Sequence, residues 1–348
     1  MSHFSLLSDP RSYATHDLNL VGNQQLRARW LDVFEKQFEE ILSQAAFTYG
    51  RMSARSVSSA REQFSKTIAS LRQDDAAKLT LNDLFLAREK CLHDNGLKDP
   101  FGQLKTKENL SWTEVYPKVV RHHRMLHGDE RWQSLIGGIF AAGLFDPFSK
   151  EMSELSDKRE FFVELKDAPP RPWLIDNFDT FKQDLQGAPP AKWTKAIFFV
   201  DNAGSDFVVG VMPLAREFAL AGVKVVFAAN ETPAMGTITA DEAATLIEQL
   251  AIVDDDLAAL IQGEMFEVVS TGAQGPLLDL ANVSDELNNS ASDTDLLIFE
   301  GMGKAVVNIS AEFSVDTLKV AILKDDHFAS LAGGQFCDCV FQYHRASK

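Results

Sequence analysis

An apolar run that ends in an acid and an amide is the feature that most constrains the fold of this chain. The run 198–200 is followed directly by Asp201 and Asn202, then by Gly204, and an amphipathic segment begins at Asp206. This order is typical of a buried parallel strand at the rim of an α/β sheet, where ligands bind outside the carboxyl ends of the strands. We therefore expect two oxygen ligands here, suited to a hard metal ion. The structural alternative is an Asx turn in which Asp206 caps the following helix.

The periodicity of apolar residues predicts two different halves. Apolar spacings of three and four from about residue 25 onward predict an α-helical domain over 1–165. A proline-rich connector over 166–194 follows, because its Pro-Pro pairs cannot be helix interior. From 195 to 348, β-rich runs alternate with helical segments, which predicts an α/β domain with a Rossmann-like, mostly parallel sheet and helices on both faces. The predicted strands are 196–200, 223–229, 266–270, 296–300, 320–323 and 336–343, the last a candidate antiparallel edge strand.

Composition excludes some classes of partner. The chain has 34 basic and 50 acidic residues and a formal net charge of −16, so nucleic acid would be repelled. No stretch approaches the roughly 18 uninterrupted apolar residues of a membrane span, so no membrane partner is expected. The chain has 3 cysteines, and residues 1–4 do not begin a secretory signal. These features predict a reduced, cytoplasmic protein.

Two further strand ends carry groups that suit a phosphate. Gly301-Met302-Gly303-Lys304 follows one apolar run, and Lys324 ends another. Glycines allow the backbone to approach a phosphate closely, and an ammonium group neutralises phosphoryl oxygens. Each segment also has a purely structural interpretation. In that interpretation the glycine segment is an ordinary turn, and Lys324 forms a surface ion pair with Asp325 or Asp326.

Ordered segments along nearly the whole chain carry a family pattern. They are 6–10, 29–31, 88–92, 171–174, 201–206, 212–217, 276–280, 300–303 and 318–324. On these segments the chain resembles the DUF89 family of metal-dependent damage-control phosphatases. Within that family it is most similar to the branch found as the C-terminal 4′-phosphopantetheine phosphatase domain of pantothenate kinase 4 proteins and as stand-alone plant proteins.

The resemblance implies a metal-dependent phosphatase that hydrolyses a small phosphorylated metabolite. In this branch the substrate is 4′-phosphopantetheine or a damaged derivative, and the cofactor is one divalent metal (Mn, Ni, Co or Mg). By the resemblance, Asp201 and Asn202 are metal ligands, and with Lys324 they are the catalytic residues. The residues that the resemblance assigns to the substrate and its phosphate are Gly301, Gly303, Lys304, Asn308 and Asp146.

Several departures from the family pattern fall within the expected site. Thr237 stands at the third metal-ligand position, where the family has an aspartate, and a neutral hydroxyl is a poorer partner for a divalent cation. Asp241, one helical turn later, is the alternative ligand. Leu144 replaces an asparagine before Asp146, and Lys304 stands where arginine is usual, which loses the bidentate fork. A second hypothesis is therefore a catalytically impaired family member that binds a metabolite or acts as a regulator. The sequence does not predict the oligomeric state.

Overall fold

A seven-stranded sheet organises this computed structural model, which describes residues 2–15, 19–73, 78–145, 147–148, 169–186 and 192–346. The strands are β1 (Ile175–Asp176), β2 (Lys195–Phe199), β3 (Lys224–Ala229), β4 (Phe266–Ser270), β5 (Leu296–Glu300), β6 (Asp316–Ile322) and β7 (Cys339–His344). Their order across the sheet is β1-β7-β6-β5-β2-β3-β4. Strands β2 to β6 run parallel, β7 is antiparallel to β6, and β1 is parallel to β7. The predicted α/β class with a Rossmann-like, mostly parallel sheet is confirmed.

Helices precede the sheet and connect its strands. The first five are α1 (Gln24–Tyr49), α2 (Ala54–Gln73), α3 (Leu81–Asp94), α4 (Gly102–Met125) and α5 (Gly128–Leu144), with a 3₁₀ turn Gly50–Ser53 after α1. The others are α6 (Phe178–Gln186), α7 (Met212–Leu220), α8 (Ala240–Ala251), α9 (Asp255–Gln262), α10 (Asp285–Ser290) and α11 (Asp326–Leu331). Two π-helical turns, Asp206–Val211 and Met302–Val306, follow β2 and β5. No helix in the described ranges is long and apolar enough to cross a membrane.

The core lies on both faces of the sheet. Every residue of β5 and β6 is buried, as expected for parallel strands that are covered on both sides. Apolar residues of α1, α2 and α3 share one cluster with Ile197 and Phe199 of β2. Apolar residues of α4, α5, α7 and α8 share another with Phe198. The N-terminal helical region is thus present, and the predicted division into 1–165, 166–194 and 195–348 stays a prediction.

Two strand predictions need correction. The last strand is antiparallel as expected, but β1 lies outside it, so β7 is not the edge. Strand β1 has only two residues, too short to give a periodic signal, and it lies in the proline-rich connector. Strand β6 begins at Asp316, earlier than predicted. A polar residue gives no apolar signal, but the Asp316 side chain is buried against Lys192 and Trp193.

The order β4-β3-β2-β5-β6 sets the position of the site. The chain winds outward from β2 through β3 to β4, then returns to add β5 and β6 on the other side of β2. The winding direction therefore reverses between β2 and β5. In open α/β sheets a crevice opens at this point, at the carboxyl ends of the two strands.

Candidate active site

The loop after β2 is held by backbone bonds on two sides. The Ala203 amide donates to the Gly236 carbonyl at 2.9 Å, and the Ile238 amide donates to the Asp201 carbonyl at 3.0 Å. The Gly204 amide donates to Oδ1 of Asn109 in α4 at 2.7 Å. The loop after β3 and helix α4 therefore fix the position from which the Asp201 side chain projects.

The glycine segment after β5 closes on the Asp201 carboxylate. The Gly303 amide donates to Asp201 Oδ2 at 2.9 Å, and the Asp201 amide donates to Glu300 Oε2 at 3.0 Å. A Cβ added at Gly301 or at Gly303 would overlap Asp201, and Gly301 also has a φ of +83°. The structure thus brings Asp201, Gly301 and Gly303 together, with the glycines close to a carboxylate of the protein itself. Their phosphate-binding role stays a prediction.

Lys304 is fully buried beneath this loop. Its Nζ donates to Asn230 Oδ1 at 2.8 Å and to the Pro276 carbonyl at 3.1 Å, and it lies 3.8 Å from Asp201 Oδ1. Burial lowers the pKa of Lys304, while the carboxylates of Asp201 and Glu300 oppose that shift. The ammonium group therefore offsets charge next to Asp201, and its proposed contact with a phosphate stays a prediction.

Asn230 is a residue that the sequence analysis missed. It directly follows β3, as Asp201 follows Val200 at the end of the neighbouring strand, so the same strand-end signal was present. The side chain is completely buried, and its Nδ2 donates to the Gly275 carbonyl at 2.9 Å and to Thr237 Oγ1 at 3.2 Å. Asn230 thereby connects Lys304 to Thr237.

Thr237 lies next to Asn202, with which it forms an isolated antiparallel bridge. Its Oγ1 donates to the Ala234 carbonyl at 2.9 Å and accepts from the Ala234 amide and from Asn230 Nδ2, each at 3.2 Å. A hydroxyl has one donor and two acceptor positions, so this one must exchange a hydrogen bond in order to bind a cation. The ligand role of Thr237 stays a prediction. The alternative residue, Asp241, is exposed in the first turn of α8.

Asp206 links two of the predicted catalytic residues. Asn202 Nδ2 donates to Asp206 Oδ2 at 3.2 Å, and Lys324 Nζ lies 3.8 Å from the same oxygen. The capping alternative for Asp206 is wrong, because the cap position of the π-helical turn is Ser205 and no side chain caps it. Lys324 is also no surface residue, since its side chain is only 8% exposed.

Glu300 completes a buried acidic group with Asp201 and Asp206. Burial, followed by the carboxylates of Asp206 and Asp201, raises the pKa of Glu300 well above its usual range. In the sequence, Glu300 is recognisable only as the end of a strand. Its electrostatic role depends on the approach of the loop after β2, which a single strand pattern does not reveal.

The two remaining predicted residues lie differently. Asn308 Nδ2 donates to the carbonyls of Leu278 (3.1 Å) and Lys304 (2.9 Å), and its Oδ1 accepts from the Tyr13 hydroxyl at 2.7 Å. Asn308 therefore ties the N-terminal segment to the loop after β5, and its substrate role stays a prediction. Asp146 lies outside the described residues.

The donor chemistry at this point fits a hard divalent cation. Asp201 supplies a buried carboxylate and Asn202 an amide oxygen, both of which suit such ions. Among the residues that the structure describes, no group of three or more His, Cys, Asp or Glu side chains is arranged as a metal site. Within the described part of the chain, the predicted donors at this strand end are therefore the two oxygen-bearing side chains of Asp201 and Asn202, and their ligand role stays a prediction.

Comparison with known proteins identifies similar chains. The damage-control phosphatase ARMT1-like domain matches residues 28–336. A damage-control phosphatase of Arabidopsis thaliana is 35% identical over 261 residues, which cover 74% of this chain and 70% of the relative. Pantothenate kinase 2 of Arabidopsis thaliana is 32% identical over 377 residues, covering 99% of this chain and 42% of that protein. The 4′-phosphopantetheine phosphatase of Mus musculus is 27% identical over 400 residues, covering 99% of this chain and 48% of the relative.

The chain therefore spans less than half the length of the latter two relatives. A solved structure of a DUF89 family protein from Pyrococcus horikoshii has a TM-score of 0.60 at 16% identity. The aligned region covers 92% of this chain and 98% of the chain in that structure. At that identity the similarity shows the fold alone.

Proposed function

The chain belongs to the damage-control phosphatase ARMT1-like domain family, and from this premise we propose that it is a metal-dependent phosphatase of small phosphate monoesters. The proposed substrate is 4′-phosphopantetheine or a damaged derivative of it. Relatives named damage-control phosphatase and 4′-phosphopantetheine phosphatase support the phosphatase class. The observation that carries the proposal is the convergence of Asp201, Asn202 and Lys324 at the carboxyl ends of β2 and β6, next to the switch point.

Each residue has a role in this proposal. Asp201 and Asn202 would hold the divalent metal (Mn, Ni, Co or Mg), and the metal when bound supplies a Lewis acid for phosphoryl transfer to water. Lys324 pairs with the phosphoryl oxygens and offsets their charge. The Gly303 amide holds the Asp201 carboxylate through a hydrogen bond, and the Lys304 ammonium group offsets its charge. Most of the proposed catalysis is therefore positioning and charge compensation.

A second candidate is a catalytically impaired relative that binds a phosphorylated metabolite or regulates a partner. One observation favours it: the Thr237 hydroxyl, at the third ligand position, already makes three hydrogen bonds within the protein. Two protein ligands hold a divalent cation more weakly than three. The two candidates share a binding site and differ in turnover.

Turnover distinguishes the two candidates. Protein stripped of metal with a chelator is assayed on p-nitrophenyl phosphate and 4′-phosphopantetheine, alone and with Mn²⁺, Co²⁺, Ni²⁺ or Mg²⁺. We expect phosphate release that requires metal and falls at least about 100-fold in Asp201→Ala, the scale seen when one key electrostatic group is removed. The matched control is Asp255→Ala, which removes an exposed carboxylate in the first turn of α9. If no metal gives turnover in the natural chain while Thr237→Asp gains activity, the impaired-relative candidate is the correct one.

We also propose a cytoplasmic location. All three cysteines, Cys91, Cys337 and Cys339, are free thiols, which suits a reducing compartment. Fractionation of cells that express the tagged chain tests this, and recovery in an oxidising compartment contradicts it.

A further inference from the structure

We propose that Asp206 is a positioning residue that orients the amide of Asn202 and holds the ammonium of Lys324. This inference rests on the proposed function, since it concerns the two residues to which that function assigns metal and phosphate. In this proposal Asp206 contacts neither the metal nor the phosphate. It positions the two residues that do, Asn202 and Lys324.

The hydrogen bond to Asp206 fixes the direction of the Asn202 amide. A carboxamide presents an acceptor oxygen on one side and a donor NH₂ group on the other, and only the oxygen can bind a cation. Asn202 Nδ2 donates to Asp206 Oδ2 at 3.2 Å, so Oδ1 is directed away from Asp206. Without that acceptor, a half-turn of the amide would present NH₂ to the metal. Partners of this kind, which orient a ligand through its second polar atom, are common around metal centres.

Asp206 also places a charge beside Lys324. The ammonium Nζ lies 3.8 Å from Asp206 Oδ2, and the two side chains are 8% and 4% exposed. An ammonium with so little access to water needs an opposite charge nearby. Asp206 supplies one such charge beside Lys324, which follows β6 and is the residue proposed to meet the phosphate.

The Asp206 backbone is held rigidly. Asp206 is the first residue of the π-helical turn Asp206–Val211, and every residue of that turn is buried. Helix α5 packs closely on the turn through small residues. A Cβ added at Gly143 would overlap Ile322 and lie 3.9 Å from Asp206 Oδ1, and one added at Gly210 would come within 3.0 Å of Ala142. A carboxylate on so constrained a segment can fix the orientation of its neighbours.

Three substitutions separate the two contacts. Asp206→Ala removes both, Asp206→Asn keeps an oxygen acceptor for Asn202 but removes the charge, and Lys324→Met removes only the cation. The probes are Mn²⁺ alone, titrated by electron paramagnetic resonance, and inorganic phosphate, titrated by isothermal titration calorimetry into protein saturated with Mn²⁺. Asp255→Asn, an exposed carboxylate on α9, is the control, and circular dichroism verifies folding of each variant.

The proposal predicts a distinct pattern for each variant. Asp206→Ala weakens Mn²⁺ binding by about 10- to 100-fold, the range found for residues that orient metal ligands, and it weakens phosphate binding as Lys324→Met does. Asp206→Asn retains Mn²⁺ affinity to within about threefold of the natural protein and loses phosphate affinity by about tenfold or more. If Asp206→Ala does not fold, the Asn variant still tests the proposal, because retained metal affinity with lost phosphate affinity is a result that a purely structural role does not give.

Three outcomes overturn the proposal. Unchanged Mn²⁺ and phosphate affinity in Asp206→Asn and Asp206→Ala would show that Asp206 orients neither group. A large loss of Mn²⁺ affinity in Asp206→Asn would show that its charge contacts the cation directly. A natural protein that binds no Mn²⁺ overturns both this inference and the proposed function. If instead the predicted binding pattern appears without turnover of any phosphate ester, only the proposed phosphatase function fails.

Discussion

Replacing Gly301 by alanine tests the close contact between the β5 loop and the Asp201 carboxylate. Gly301 has a φ of +83°, and a Cβ there would overlap Oδ2 of Asp201 and lie 2.7 Å from its Cγ. Gly222 is a matched position, because its φ is +89° and nothing lies within 4 Å of an added Cβ. Both glycines have a positive φ, and they differ in the presence of Asp201 beside the added Cβ.

The magnitude follows from two separate costs. The left-handed conformation costs an L-residue about 1–2 kcal/mol, so Gly222→Ala should lower the free energy of unfolding by that amount. Gly301 has a φ of 83° and a ψ of 168°, a region that is essentially restricted to glycine, so its backbone cost in Gly301→Ala is about 1–3 kcal/mol. The alanine must in addition displace a buried carboxylate, for which overpacking adds about 1–3 kcal/mol. We therefore expect a total of about 2–6 kcal/mol for Gly301→Ala.

Urea denaturation measures both variants, and a third protein completes the test. In an Asp201→Gly background the overlap is absent, so the cost of Gly301→Ala should fall by about 1–3 kcal/mol, the overpacking contribution. Equal costs for the two glycine substitutions in the natural background would refute the reasoning, since the carboxylate would then not lie where the hydrogen bond from Gly303 places it.

Other buried polar residues give further predictions. Asn230→Ala leaves the Lys304 ammonium and two other partners without their hydrogen bonds, and we expect a loss of about 3 kcal/mol in urea unfolding; a loss under 1 kcal/mol would contradict the network. Arg216→Met removes the buried partner of the Asp254 carboxylate and leaves it the half-exposed Arg124 at 3.3 Å; we expect a cost of up to about 3–5 kcal/mol in urea unfolding. The double change Arg216→Met with Asp254→Leu should recover only part of it, because Asp254 also caps α9. Burial lowers the pKa of Lys319 from 10.5 to about 7. The folded state therefore binds fewer protons than the unfolded state between these values, and the stability of the natural protein relative to Lys319→Met should rise by a few kcal/mol from pH 7 to pH 10. A difference that does not change with pH would show that Lys319 titrates normally.

The strand pattern predicted much of the fold because parallel strands covered on both faces are continuous apolar runs. It missed the first half of β6, where Asp316, Thr317 and Lys319 are buried although polar. Lys319 donates to the carbonyls of Ile309 and Ala311, and Asp316 binds groups more than 120 residues earlier in the chain. Such partners exist only in the folded chain, so a local pattern cannot reveal them.

The strand pattern also predicted that Asp201, Asn202 and Lys324 follow strands, and they do so in the fold; their roles stay predictions. The same signal after β3 marks Asn230. In the fold, Thr237 lies beside Asn202, with which it forms an isolated bridge. The sequence could not show that Ala234 and Asn230 already bind the Thr237 hydroxyl, because that depends on the conformation of one loop.

Anomalous diffraction from crystals grown with Mn²⁺ and inorganic phosphate would locate the metal and the phosphate directly. We expect a manganese peak in direct contact with the Asp201 carboxylate and Asn202 Oδ1, with phosphate between that peak and Lys324. A crystal with no peak at Asp201, or with manganese bound only to other carboxylates, would contradict the assignment of this strand end as the metal centre.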